Sequence, residues 1–343
     1  MIRRMKNRIT LICAAASAAA VSLLTACSSG SQGLNPVQSS STVQDLAQAD
    51  LSRFGVAPKF YDLIRSRQAL RQARPAARGP KDLFVDDGGV VDIFANITWQ
   101  NTGTISNGIT SPDGNFVDKR GALYVTNLGY ADITQYASGA STPDFTYGSN
   151  MIDPVDVTVD AHGNVYEADF DNNLGNGFVN EYKQGVDAVY ASCSPGGGVE
   201  GVAVDARGDV FVAVNFENSG TIFEYSGGLR GCRATNLGIG LQDAGGLALD
   251  QRGNLIACDQ IAASVDVIAP PYTSISGTFG YGYVDPFHVT INKKNSLAYV
   301  TDPVTGTVNV FTYPGGQLAA ALNSSSEGIS TPYGAVDGQN YVP

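Results

Sequence analysis

VVDIF (90–94), DITQY (132–136), FVNEY (178–182), TIFEY (221–225), SVDVI (264–268) and TVNVF (307–311) are six versions of one strand. Their closing residues, Phe94, Tyr136, Tyr182, Tyr225, Ile268 and Phe311, recur at intervals of 42, 46, 43, 43 and 43 residues. A period near 43 is one four-stranded unit of a closed ring, longer than most helical repeats. A second pattern runs in step with the first: a hydrophobic triplet ending in Asp, often followed by Gly. It reads NFVDKRG (115–121), VTVDAHG (157–163), VAVDARG (202–208), LALDQRG (247–253), VTINKKN (289–295) and GAVDG (334–338). The expected fold class is therefore all-β, a six-bladed β-propeller.

The two patterns are out of phase at the ends, and the offset predicts how the ring closes. Phe94 precedes the first Asp of the second pattern, Asp118, whereas the last, Asp337, follows Phe311. Six blades are complete only if PYGAVDG (332–338) supplies the innermost strand to the blade begun by DLFVDDGGVVDIFA (82–95). Such an exchange leaves fewer open strand edges. An alternative reading makes LFVDD (83–87) an innermost strand of its own, because Val85-Asp86 followed by Gly88 imitates the second pattern.

Forty glycines and a 15% share of charged residues fit many short strands joined by tight turns. The net charge of -11 conceals an asymmetry. From Asp82 onward there are 9 Lys and Arg against 29 Asp and Glu, while Arg53 to Lys81 holds eight basic residues and one acid, Asp62. So acidic a ring speaks against a nucleic-acid partner, whose phosphates attract the opposite sign.

The N-terminus reads as an export signal. Arg3, Arg4, Lys6 and Arg8 precede an apolar run, Ile9 to Leu24, that is short for a membrane span. Leu24-Thr25-Ala26-Cys27 resembles the lipobox of bacterial lipoproteins, which implies lipidation of Cys27 and, with Ser28 following it, passage toward an outer membrane. The expected organisation is a signal peptide over 1–26, then lipidated Cys27 with a flexible linker and a short basic helical segment over 27–80, and a propeller over 81–343. The expected location is the bacterial cell envelope, on the outer membrane or its periplasmic or extracellular face, with the protein monomeric and held by its lipid. The Arg65, Arg67, Arg71, Arg74 and Arg78 face is open to three readings: anionic headgroups, the acidic ring, or solvent.

VTVDAHGNVYEADFDNNLGNGFVNEY (157–182) is similar to the NHL repeat and its relatives among six-bladed, TolB-like propellers, and the resemblance extends over residues 82–343. It implies a fold more than an activity, since such propellers serve as protein-binding modules, lactonases, a copper-assisted lyase and lipoproteins. Relatives of the gluconolactonase type hold a divalent cation in the channel with Glu, Asn and Asp; no residue-by-residue match to those ligands is present. Two departures from the repeat stand out: Val214, where other second strands are followed by a polar residue, and Asn292-Lys293-Lys294-Asn295 in place of Asp-x-x-Gly.

Of two histidines, His162 falls in a turn, whereas His288 occupies a position that opens on the central channel, shared in other repeats by Asp156, Gly201, Gly246 and Gly114. Asp156, Glu200 and His288 are thus expected to converge there, as ligand-binding groups or as polar lining. Asn127, Asp169, Asp259 and Asp302 end second strands at the same mouth and join the candidate site. Asp169, Asp171 and Asn173 have the one-three-five spacing of a calcium loop, although Leu174 stands where such a loop needs Gly. A divalent cation such as calcium is the candidate cofactor. Of the cysteines beyond Cys27, Cys258 aligns with Ala168 and Ala213 inside a strand, which leaves Cys193 and Cys232 as a disulfide pair.

Two functions follow: a binding or scaffold module for an envelope protein, glycan or small ligand at the channel mouth, or a metal-dependent lactonase- or lyase-like enzyme. No catalytic set is legible, and binding is the favoured reading.

Overall fold

The computed structural model describes residues 82–170, 176–216, 219–340 and 342. The export signal, Cys27 and the basic segment lie outside them, as do Asp171 and Asn173.

Within the described residues the regular elements are twenty-four strands, β1 (Asp82–Asp87) to β24 (Pro332–Asp337), in six four-stranded sheets. The innermost strands are β4 (Pro112–Val117), β8 (Pro154–Val159), β12 (Gly198–Val204), β16 (Ala244–Leu249), β20 (Val289–Ile291) and β24. Beside them run β5 (Leu123–Asn127), β9 (Val165–Asp169), β13 (Val210–Phe216), β17 (Leu255–Asp259), β21 (Leu297–Asp302) and β1. β24 pairs with β1, Val336 opposite Phe84 and Ala335 opposite Val85, and so completes blade 1 from both chain ends. LFVDD is accordingly a second strand rather than an innermost one.

The second strands are buried on both faces, because each blade is sandwiched between two others. Their side chains form the cores between blades, as where Phe84, Val91 and Ile105 of blade 1 meet Val117, Leu123 and Tyr136 of blade 2. The closing Tyr of the third strand also ties a blade to the segment that enters it. Tyr136 donates its hydroxyl to Asn107 O at 2.6 Å and Tyr182 to Ser149 O at 2.5 Å.

The repeat Asp builds the turn after each innermost strand. Oδ1 of Asp118, Asp160, Asp205 and Asp250 each accepts two backbone N–H groups of its own turn, at 2.8–2.9 Å. Asn292 does the same with Ser296 and Leu297, so the odd sequence there preserves the turn. At the rim, Cys193 and Cys232 are joined by a disulfide with Cα atoms 5.4 Å apart, linking blade 3 to blade 4, while Cys258 is free and buried.

Candidate functional site

The channel is walled by the six innermost strands. In five of the six, pairing with the second strand slips by one residue near the start: between Pro112 and Asn115, Pro154 and Asp156, Val199 and Gly201, Ala244 and Leu247, and opposite Val85/Asp87. A bulge re-aims the residue it contains. Glu200 is one such residue, and its Oε2 accepts from Gln260 Nε2 of the next blade at 2.8 Å.

Below the bulges, Asp156 of blade 3 and His288 of blade 6 meet across the ring. His288 Nε2 lies 3.2 Å from Asp156 Oδ1, and both residues are buried. Gly114 and Gly246 make room for them, since a Cβ on Gly114 would come within 2.8 Å of Asp156 Cα and one on Gly246 within 2.9 Å of His288 Cα. Asp156 is also part of the frame, accepting from Val157 N at 2.8 Å and, with Oδ2, from Val202 N at 2.9 Å. His288 Nδ1 has no hydrogen-bond partner. Nδ1 is thus left available to a polar group that reaches this depth.

Beneath this crosspiece lies a small cavity lined by Asp156, Thr158, His288, Thr290 and Asn340, among others. Its volume of ≈ 30 Å³ is about twice what one water requires. Asn340 stands on its floor because the chain beyond β24 turns across the channel. Lys293 N donates to Gln339 O at 2.6 Å, Asn340 bridges Asn292, and Val342 packs on the core shared by blades 2 and 3.

The strand-end residues have a structural job that the sequence did not show. Asn127, Asp169, Asp259 and Asp302 are all buried. Their side-chain oxygens accept backbone N–H groups of the segment that leads into the innermost strand. Asp169 takes Ile152 and Asp153, Asp259 takes Gln242 and Asp243, Asp302 takes Val284 and Asp285, and Asn127 takes Thr110. These hydrogen bonds clamp the mouth loops in place. In blade 4, where Val214 replaces the polar residue, Asn215 exchanges two hydrogen bonds with Ala244 of the next blade, at 2.7 and 2.9 Å.

The clamped loops expose apolar side chains. Tyr130, Ile152, Ile261, Val284 and Val304 are 59%, 41%, 38%, 55% and 46% exposed, on loops that enter innermost strands or leave second strands. Positive charge is segregated in the same sense, whereas acids occur on both faces. All nine Lys and Arg from Asp82 onward, such as Arg120, Arg207 and Arg252, lie in first-to-second or third-to-fourth strand connections, none at the mouth. Asp113, Asp153, Glu200, Asp243 and Asp285, by contrast, lie at or just before the starts of innermost strands.

Burial also sets a pH dependence. Glu167, buried beside Asp169 and bonded through Oε2 to Asn180 Nδ2 at 2.8 Å, is held well above the usual carboxylate range by desolvation. Asp266 is pushed up to about 6 by desolvation and then by the charge of Asp259. Carboxyls whose folded pKa exceeds the unfolded value, ~4, stabilise fully below that value and lose the contribution as pH rises through the folded pKa. Tm is therefore expected to rise as pH is lowered from 7 to 5; a flat or falling Tm over that window contradicts it.

No family model and no curated protein matches the chain. Among solved structures, a chain of a nidogen/laminin complex superposes with a TM-score of 0.60 at 16% identity, covering 74% of this chain and 97% of that one. A protein of unknown function from Bacteroides caccae gives 0.56 at 12% identity, over 75% and 98%. The molecule is a six-bladed β-propeller, and 1291 solved chains match it, so the likeness carries a fold and no activity by itself.

Proposed function

We propose that the propeller is the binding module of a cell-envelope lipoprotein of NHL and TolB-like type, anchored through Cys27, and that its partner is a protein docking on the channel mouth. The observation that carries the reading is the mouth itself, where Tyr130, Ile152, Ile261, Val284 and Val304 stand exposed around a centre to which the described residues supply acids and no Lys or Arg. Exposed apolar groups on rigid loops give contact area at low entropic cost. The acids select a partner that offers cationic groups. Glu200, Asp156 and His288 line the descent beneath, within reach of a side chain inserted from above.

The test is capture from solubilised native envelope with the full-length chain as bait. A protein retained by the wild type and by Arg252→Ala, and lost with Tyr130→Glu combined with Val304→Glu, is the expected result. Equal capture by the mouth variant rejects the mouth as the docking face. Cys27→Ala separately tests the anchor: it is expected to move the protein out of the membrane fraction or block its processing, and a processed, membrane-bound Cys27→Ala protein rejects lipidation at that residue.

A further inference from the structure

The outer edges of the six blades are protected unequally. β7 (Phe145–Tyr147), β15 (Ala234–Asn236) and β19 (Gly277–Phe279) are three residues long, too short to offer much of a ladder to another strand. β11 (Val189–Cys193) is tied at Cys193 to the blade 4 connection that holds Cys232. β3 (Asn101–Ile105) is polar at its exposed end, where Thr102 Oγ1 turns back to donate to Ile93 O at 3.1 Å. β23 (Leu318–Leu322), the outer strand of blade 6, carries none of these devices. It reads LAAAL, and among the described residues its strand partner is β22 (Thr307–Thr312), on its inner side.

Two features set this edge apart. The stretch from Pro303 to Ser326, which contains β22 and β23, has no charged residue and is the longest such stretch after Asp82. In a ring with 9 Lys and Arg against 29 Asp and Glu, two copies repel one another over most of their surface, and least here. The strand is also a palindrome. Laid antiparallel on itself about Ala320, it sets Leu318 against Leu322 of the second copy and Ala319 against Ala321, so every pair is apolar. Leu318 is 41% exposed, and Ala319 and Ala321 are exposed as well, so apolar side chains flank an open row of backbone N–H and C=O groups.

An open strand edge accepts another strand through its backbone. A foreign strand is selected at such an edge by pockets for its alternate side chains, and a row of alanines forms none. We propose that β23 is a self-association edge: two copies pair their β23 strands antiparallel about a twofold axis at Ala320 and join two four-stranded blades into one sheet. A twofold contact uses the same patch on both copies, so a strand that matches its own reverse satisfies it. Five residues a side bury little area, which makes the dimer weak and concentration-dependent. The monomer expected from the sequence is then the dilute state. The contact lies on the rim of the ring and does not depend on the docking face proposed above.

The experiment is sedimentation equilibrium of the full-length protein in density-matched detergent over a dilution series, with melting curves as the control for folding. The wild type is expected to pass from monomer to dimer as concentration rises and to stop there, since pairing consumes the edge. Ala319→Lys combined with Ala321→Lys sets like charges opposite each other at both pairs and is expected to weaken dimerisation about tenfold. Ala319→Lys combined with Ala321→Glu sets each Lys against a Glu of the other copy and is expected to dimerise at least as tightly as the wild type. Both positions are exposed, so the three proteins are expected to melt alike. A wild type that stays monomeric throughout, association beyond the dimer, a Lys/Lys variant that dimerises like the wild type, or a Lys/Glu variant as weak as the Lys/Lys one each overturns the proposal.

Discussion

Removing residues 329–343 is expected to abolish cooperative thermal unfolding. β24 is the innermost strand of blade 1, and Ala335 and Val336 are fully buried within it. Its loss leaves the inner edge of β1 unpaired and strips several side chains of their acceptors. Thr290 Oγ1 donates to Ala335 O at 2.8 Å, Thr301 Oγ1 to Tyr333 O at 2.7 Å, and Tyr299 Oη to Asp337 Oδ2 at 2.8 Å. Set against a total stability of about 5–15 kcal/mol, the loss of a central strand is not survivable. A shorter deletion, of 339–343, keeps β24 and removes only the channel floor, so it is expected to melt cooperatively. A sigmoidal melt after the longer deletion would sink the idea that the ring closes through its C-terminal strand.

Asp302→Ala is expected to lower Tm by roughly 10 °C. Asp302 is fully buried, and its carboxylate accepts Val284 N at 2.7 Å, Asp285 N at 3.2 Å and Thr305 N at 3.0 Å. Each backbone donor left unpaired costs about 1–3 kcal/mol, and a chain of this size shifts by about 2–4 °C per kcal/mol. Asp302→Asn keeps one acceptor oxygen and is expected to lose about half as much. The alternative role, contact with a ligand, makes the opposite forecast: Tm unchanged in both variants and affinity lost. Melting curves of the two variants against wild type decide between them.

That contrast shows where the sequence was readable. The ring was legible because each blade repeats the same packing problem, so its apolar residues and turn acids recur at a near-constant interval from Phe94 to Phe311. Closure followed from the phase of Asp337 against Phe311. The structural work of the strand-end acids was not legible, since an Asp at a loop looks the same in sequence whether its oxygens hold backbone N–H groups or await a ligand. Val214 was the available clue, because a clamp lost there and replaced by Asn215 implies that its counterparts are clamps too. The bulges left no trace, as they carry residues as unlike as Val155 and Glu200.

The segregation of charge sets which way the molecule points when it is held by its N-terminus. The chain enters the propeller at Asp82, the start of β1, where Leu83 pairs with Asp337 at the end of the innermost strand. The entry is therefore on the face of the turns that hold Arg120, Arg207, Arg252 and Lys293. A tether of the proposed kind joins the face that carries the Lys and Arg side chains, and the mouth, which carries acids alone, is the other pole of an electrical dipole. Beside an anionic bilayer the net charge of the ring keeps it at a distance while the dipole turns it. Under the proposed anchoring through Cys27, leash and field act in the same direction and present the open end of the channel to whatever lies beyond the membrane surface.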